Sequence, residues 1–289
     1  MRNNADHGRS IAIRRQRSFA RFFNIRFQIR NGPGNSSQDL LVGRRILVTG
    51  GTSGLGLALV RAAHARGARV GFVARTAAAV DSLARALPGS VGIVGDVAEK
   101  TAIHRIALQA TGRLGGLDVL INNASSLGPV PLALLADTEC EALEQALATN
   151  LVGPFRLTRA LLGALAASAR EGTGAVVLNV SSDAAVQPYP GWGAYGASKA
   201  GLRHLSEIWD QELRELGIRV LSADPGDMDT PLHALAVPDA DRGTLKDPAV
   251  AAGEVLGVIV SALAALQVSH PERSEGGMTE GMAPSLRSG

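Results

Sequence analysis

Arg45-Ile-Leu-Val-Thr-Gly-Gly-Thr-Ser-Gly-Leu-Gly56 begins as a short apolar run, passes through spaced glycines and continues into a stretch rich in alanine and leucine. The spacing predicts a buried strand over Arg45–Thr49, a tight turn over Gly50–Gly56, and a helix over Leu57–Arg66. In that context glycines let the backbone turn sharply and approach a pyrophosphate, whose charge is favoured by the unpaired N–H groups at a helix start. Thr49, Gly50, Thr52, Ser53, Gly54, Leu55 and Gly56 are therefore candidate cofactor contacts. Glycines that serve only the turn stay open as the alternative, because the spacing Gly-x-x-x-Gly-x-Gly differs from the common dinucleotide fingerprint.

Beyond this turn the chain alternates short apolar runs with helical patterns. Strands are expected at Arg69–Ala74, Val91–Val94, Asp118–Ile121, Ala175–Val180 and Ile218–Ser222. Helices are expected from the second strand to Leu87, then over Lys100–Leu114, Asp137–Thr149, Pro154–Ala169, Ala194–Leu216 and Pro248–Leu266. Strands apolar on both faces, separated by helices, predict an α/β fold with a doubly wound parallel sheet of Rossmann type, in one domain. The apolar run Val255–Leu266 falls short of the ~20 residues of a membrane helix and reads as a core helix.

With 289 residues, 46% hydrophobic and 19% charged, the chain is long enough for one large core. Residues 1–38 carry eight Arg against one Asp, so the net charge of +3 conceals an acidic remainder. The basic character belongs to an arm, which gives no support to nucleic-acid binding by the fold. That arm reads as a disordered extension, a targeting leader, or a nucleic-acid or membrane contact. The expected division is an arm over 1–38, a catalytic domain over 39–267 and a polar, disordered tail over 268–289. A single cysteine, Cys140, rules out an intrachain disulfide framework and fits a cytoplasmic protein.

Two positions bear on which dinucleotide would bind. Binders of NAD place an acid at the end of the second strand to accept from the ribose hydroxyls, whereas here Ala74 is followed by Arg75. A guanidinium without an acid favours a 2′-phosphate, hence NADP(H), with NAD(H) as the lesser alternative. Asp96, with Val97 after the third strand, is placed either to accept from an adenine amino group or to cap the following helix.

Tyr195-Gly-Ala-Ser-Lys199 sets a phenol and an ammonium one helical turn apart on the same face. A phenol of ordinary pKa near ~10 must fall by roughly 3 units to exchange protons readily at neutral pH, and a nearby cation acts in that direction. Taken alone, the pair is far more often a feature of an exposed helix.

The glycine turn, Asp96-Val97, Asn122-Asn-Ala124, Asn150, Ser182, Tyr195-x-x-x-Lys199 and Pro225-Gly-x-x-x-Thr230 occur in one order, and together they resemble the short-chain dehydrogenase/reductase family over about 45–250. The resemblance implies that Tyr195 gives or takes the proton at a carbonyl or alcohol oxygen and that Ser182 hydrogen-bonds that oxygen. It implies that Lys199 holds the nicotinamide ribose and lowers the tyrosine pKa, while Asn150 anchors a water that relays protons. Asn122, Asn123 and Ala124 are implied beside the cofactor, and Pro225, Gly226, Met228 and Thr230 around its carboxamide. The implied substrate is a small carbonyl or alcohol compound, with no nucleic acid or membrane partner, and the implied assembly is a homodimer or homotetramer. A cofactor-binding protein without turnover is the alternative. Asn122-Asn-Ala-Ser-Ser-Leu-Gly128, with Val186–Tyr195 and Pro225–Thr230, is further similar to the sepiapterin and benzil reductase branch. In that branch Leu127, Tyr189, Trp192 and the Pro231–Leu235 loop would line the pocket, with His233 on a lid or against substrate.

Two departures from the family pattern stand out. Ser125 occupies a place where the family commonly has glycine, and the polar sequence after 268 offers no apolar run for the family's last strand, so six or seven strands are expected. No metal is expected, since the six His are scattered without ligand spacing. Asp224, Asp227 and Asp229 crowd one loop, where turn and cap roles outweigh a cation.

Overall fold

The structure, a computed structural model, describes residues 39–268. Expectations placed on 1–38 and on 269–289 lie outside the described residues. Six strands, β1 (Arg45–Thr49), β2 (Arg69–Ala74), β3 (Val91–Val94), β4 (Val119–Asn122), β5 (Ala175–Val180) and β6 (Ile218–Ala223), form one parallel sheet. Their order is β3-β2-β1-β4-β5-β6, so the winding runs outward in one direction from β1 and in the other from β4. A crevice therefore opens at the carboxyl ends of β1 and β4, where such folds bind ligands.

The helices are α1 (Gly54–Ala65), α2 (Ala77–Ala86), α3 (Ile103–Leu114), α4 (Cys140–Leu147), α5 (Gly153–Arg170), α6 (Gly193–Leu213), α7 (Pro231–Ala236) and α8 (Pro248–Val268). Alternate strand residues feed two separate cores, as a period of two requires. Ile46, Val48, Val119, Ile121, Val176 and Leu178 join α1 and α8 on one face, while Leu47, Leu120 and Val177 join α3 and α5 on the other. α8 is long and apolar enough by length and composition to cross a membrane. Within the fold its Ala251, Ala252, Val255, Leu256, Ile259 and Leu263 are buried in the α1 core.

Two local departures from the sequence reading have visible causes. The helix expected over 137–149 stops at Leu147 and continues into α5 through a π-turn over Ala148–Val152. Pro154 has no N–H to offer the Asn150 carbonyl four residues back, and its ring crowds that carbonyl, so the helix widens there. The stretch read as a loop after Thr230 contains α7: the Thr230 hydroxyl accepts from the His233 amide at 3.2 Å and Pro231 occupies the first turn. Among the described residues β6 pairs only with β5, so the sheet has six strands there.

At the amino ends of the strands, Asp118 is 3% exposed and ties two strands together. It accepts from the Arg45 amide at 2.7 Å, from Arg45 Nε at 3.0 Å and from Arg45 Nη2 at 2.7 Å. Burial would raise the Asp118 pKa, but the hydrogen bonds and charge of Arg45 outweigh it and hold the carboxyl below its usual range.

Candidate active site

Where β1 turns into α1, several glycine positions have no room for a side chain. Gly50 and Gly54 lie in the left-handed region, with φ of 67° and 49°. A Cβ on Gly56 would stand 2.1 Å from the Gly50 carbonyl oxygen, and one on Gly54 3.2 Å from Thr230 Cγ2. Ser53, the N-cap of α1, makes no side-chain cap bond, which leaves the first amides of α1 without a side-chain acceptor. Such a cradle fits a diphosphate group. Leu55 is buried in the core, so only its backbone is available there.

Neighbouring residues hold this turn in place. Thr49 Oγ1 accepts from the amides of Asn123 and Ala124, each at 3.0 Å, and Asn123 Nδ2 donates to the Thr49 carbonyl at 2.9 Å. Thr49 is 1% exposed, so it supports the cradle rather than lining it. Asn122, read from sequence as a cofactor neighbour, instead turns inward and donates to Asn179 Oδ1 at 2.8 Å. Its place at the end of β4 sends its side chain into the α5 side of the sheet, where Thr158 is a second partner.

On the β2–β3 side, Arg75 is exposed and makes no ion pair among the described residues. Thr76, the N-cap of α2, also makes no side-chain cap bond and stands next to it. Sequence reasoning did not single out Thr76, although a hydroxyl beside Arg75 at a helix start is a readable signal. Asp96 Oδ1 accepts from the Ala98 amide at 2.9 Å, a turn role that leaves the other carboxylate oxygen without a donor among the described residues. Val97 is buried beneath it.

Beyond β5 the residues expected for proton transfer come together. Tyr195 and Lys199, 8% and 2% exposed, are both buried on α6, with the Lys199 Nζ 5.5 Å from the phenol ring centre. Lys199 Nζ donates to the Val180 carbonyl at 2.8 Å and has no carboxylate partner among the described residues. The expected lowering of the tyrosine pKa is not what this arrangement gives. Burial pushes the Tyr195 phenol up to about 12, against the opposing pull of the Ser182 and Ser125 hydroxyls, and pushes Lys199 down to about 8. Sequence displays the neighbouring cation but not the desolvation, which disfavours the charged form of both groups.

Ser182 Oγ accepts from the Ala184 amide at 3.2 Å and donates to Asp183 Oδ1 at 3.0 Å. Ser125 Oγ, which also faces Tyr195, is buried and makes no hydrogen bond of good geometry. Asn150 is fully buried, and its side chain bridges the Ser126 backbone and the Ser198 hydroxyl, with contacts of 2.7–2.8 Å. These bonds shape the loop after β4 and engage the Asn150 amide completely on its donor side.

The outer wall is polar and acidic. Tyr189 donates to Asp183 Oδ2 at 2.8 Å, and burial followed by that bond pushes its pKa up to about 12. Trp192 packs edge-on against Tyr195 with ring centres 5.7 Å apart, and Leu127, Leu132 and Leu232 complete a small apolar cluster around them. Asp224 keeps solvent access although protein surrounds much of it; burial and the charges of Asp183 and Asp227 raise its pKa. His233 Nε2 lies 3.9 Å from Asp227, while Asp229 pairs with Arg242. Among the described residues no group of three or more His, Cys, Asp or Glu could hold a metal ion. Asp183, adjacent to Ser182, escaped the sequence reading because its position after the serine follows no pattern.

Comparison with known proteins adds an independent line. The family model for short chain dehydrogenase matches residues 44–241. L-xylulose reductase of Bos taurus is 34% identical over 202 residues, covering 70% of this chain and 79% of that protein. The structure of 3-ketoacyl-(acyl-carrier-protein) reductase from Brucella melitensis complexed with NADH superposes with a TM-score of 0.70 at 26% identity, covering 75% of this chain and 91% of the other. A short-chain dehydrogenase from Burkholderia cenocepacia J2315 in complex with NADP does so with a TM-score of 0.66 at 25% identity, covering 76% and 91%.

Proposed function

Because the chain belongs to the short chain dehydrogenase family, we propose that this oxidoreductase reduces a small ketone, aldehyde or diketone with NADPH, using Tyr195 as the proton donor. The observation that carries the reading is the convergence of Tyr195, Lys199 and Ser182 at the carboxyl end of β5, across the crevice from the glycine turn. A bound nicotinamide ring supplies the hydride, and this chain supplies orientation and proton handling.

The glycine cradle and the first amides of α1 would hold the diphosphate, and Lys199 the nicotinamide ribose. Arg75 and Thr76, both exposed at the end of β2, favour a 2′-phosphate and hence NADPH over NADH. Asp96, with one carboxylate oxygen uncommitted, and Val97 would border the adenine, while Pro225–Thr230 would border the carboxamide.

At the reacting oxygen, Tyr195 gives its proton as negative charge develops, and the Ser182 hydroxyl turns from Asp183 toward that oxygen to stabilise it. A phenol held near about 12 stays protonated throughout the neutral range, the state that a reduction requires. Lys199 is the cation that offsets the phenolate left behind. Replacement of the proton runs inward along Lys199. A water on that route would rest on the Asn150 backbone carbonyl at the π-turn, since Pro154 offers that carbonyl no N–H.

Asp183, Asp224 and Asp227 around the mouth disfavour anionic substrates and leave neutral carbonyls as the expected class. The test is a panel of aldehydes, ketones and diketones followed by loss of NADPH absorbance. Turnover of a neutral carbonyl is expected. Tight NADPH binding with no turnover on any member would favour the alternative of a dinucleotide-binding protein.

A further inference from the structure

The segment between β6 and α7, Asp224–Thr230, belongs to no ladder of the main sheet, so something else must fix its backbone. Lys246, from a stretch that the sequence reading passed over, does so with three of its groups. Its amide donates to the Asp227 carbonyl at 3.0 Å and its carbonyl accepts from the Asp229 amide at 3.0 Å, the two bonds of a bridge that brackets Met228. Its Nζ donates to the buried Pro225 carbonyl at 3.0 Å and pairs with Glu254 Oε2 at 2.6 Å.

Glu254 lies in the second turn of α8, and α8 packs against α1, the helix that starts at the glycine cradle. The segment also touches the cradle directly, since Thr230 stands over Gly54. Lys246 thus links both ends of Pro225–Thr230 to the framework that carries Gly54. The sheet order separates this region from Arg75 and Asp96: β2 and β3 lie on one side of β1, and β5 and β6 on the other.

We propose that Lys246 is a positioning residue that sets the Pro225–Thr230 segment against the nicotinamide half of the cofactor and leaves the adenosine half untouched. The inference rests on the cofactor reading above. Without the ammonium the backbone bridge at Met228 remains, but the Pro225 carbonyl loses its donor and Glu254 its partner, so the bridged segment loses its side-chain tie to α8 and with it its set distance from Gly54.

Lys246→Met keeps the stem and removes the charge, and Lys246→Arg restores a cation. Binding of NADPH and of adenosine 2′,5′-bisphosphate, which carries only the adenosine half, is measured by calorimetry for each protein, alongside KM and kcat. Lys246→Met is expected to weaken NADPH roughly tenfold, with adenosine bisphosphate unchanged within about twofold and Lys246→Arg recovering most of the loss. Glu254→Gln, at an exposed position, leaves the Pro225 bond in place and is expected to give a smaller loss of the same kind.

Equal weakening of both ligands would mean a general loss of structure and would overturn the proposal, as would unchanged NADPH affinity in Lys246→Met. If Lys246→Met does not fold, Glu254→Gln decides by the same two ligands. A parent protein that binds adenosine bisphosphate and NADPH equally tightly would remove any nicotinamide subsite for Lys246 to position. A parent that binds neither would overturn the cofactor reading itself, and this inference with it.

Discussion

Two buried ionic groups sit at opposite ends of the same sheet, and they are built on opposite principles. At the amino ends, Asp118 receives two guanidinium nitrogens and an amide from Arg45, and every strong interaction is satisfied locally. At the carboxyl ends, Lys199 is buried beside a phenol with one backbone carbonyl and, among the described residues, no carboxylate partner. A paired buried charge holds strands together, whereas an incompletely compensated one costs stability and is retained for another reason. The pKa directions follow the same division. Asp118 is held low by its partner despite burial, while Lys199 and Tyr195 are both moved by burial toward their neutral forms.

Breaking the carboxyl end should therefore spare the fold and remove the chemistry. Lys199→Met is expected to lower carbonyl turnover roughly 10²–10³-fold, the scale of losing one electrostatic stabiliser at a reacting oxygen. Its unfolding free energy at pH 7 should equal or exceed the parent's, because an unpaired buried charge is gone. Urea denaturation and steady-state kinetics on one preparation check both halves.

Breaking the amino end should do the reverse. Asp118→Asn leaves Arg45 with only the exposed carboxylate of Glu171 and is expected to cost about 3 kcal/mol of stability, the lower end for splitting a buried pair. The kcat of the protein that remains folded should stay within about twofold of the parent, since the site lies at the far end of the strands. A large fall in kcat at constant Tm would contradict the division of roles.

A smaller effect is expected at Arg75, the charge proposed to meet a 2′-phosphate. Arg75→Ala should lose about 1.5–3 kcal/mol of NADPH affinity, as for a hydrogen bond to a charged group, and leave NADH unchanged. The ratio of the two KM values measures this directly.

A further effect is in the pH dependence of stability. For Lys199, the folded pKa of about 8 lies below the reference of 10.5, so between these values the unfolded chain binds the extra proton. Stability from this group accordingly rises with pH across that window. Tyr195 acts in the other direction from 10 to about 12, where the folded state keeps the proton that the unfolded chain loses. Thermal unfolding from pH 7 to 11 should show the alkaline gain in the parent and not in Lys199→Met.

Much of this architecture is legible in the sequence because parallel strands are apolar on both faces. Arg69–Ala74, Val91–Val94 and Ala175–Val180 have the same limits in the structure as in the sequence reading. What is not legible depends on distance along the chain or on burial. Arg45 and Asp118 are 73 residues apart, and only the register of β1 and β4 brings them together. The same limit hid Lys246, whose partners in Pro225 and Glu254 come from different elements. Asn122 and Asn123 are adjacent in one motif, and only strand alternation shows that one faces the core and the other the glycine turn. At Tyr195 the sequence indicates the cation that would lower the pKa, while the enclosure that raises it is a property of the packed site.

The measurement closest to the centre of the account is single-turnover carbonyl reduction by Tyr195→Phe with NADPH binding determined on the same protein. Loss of the hydroxyl should lower the reduction rate roughly 10²–10⁴-fold, the scale of general acid catalysis, with NADPH affinity within about threefold of the parent. A variant that reduces the same carbonyl within a fewfold of the parent rate would show that the proton comes from elsewhere.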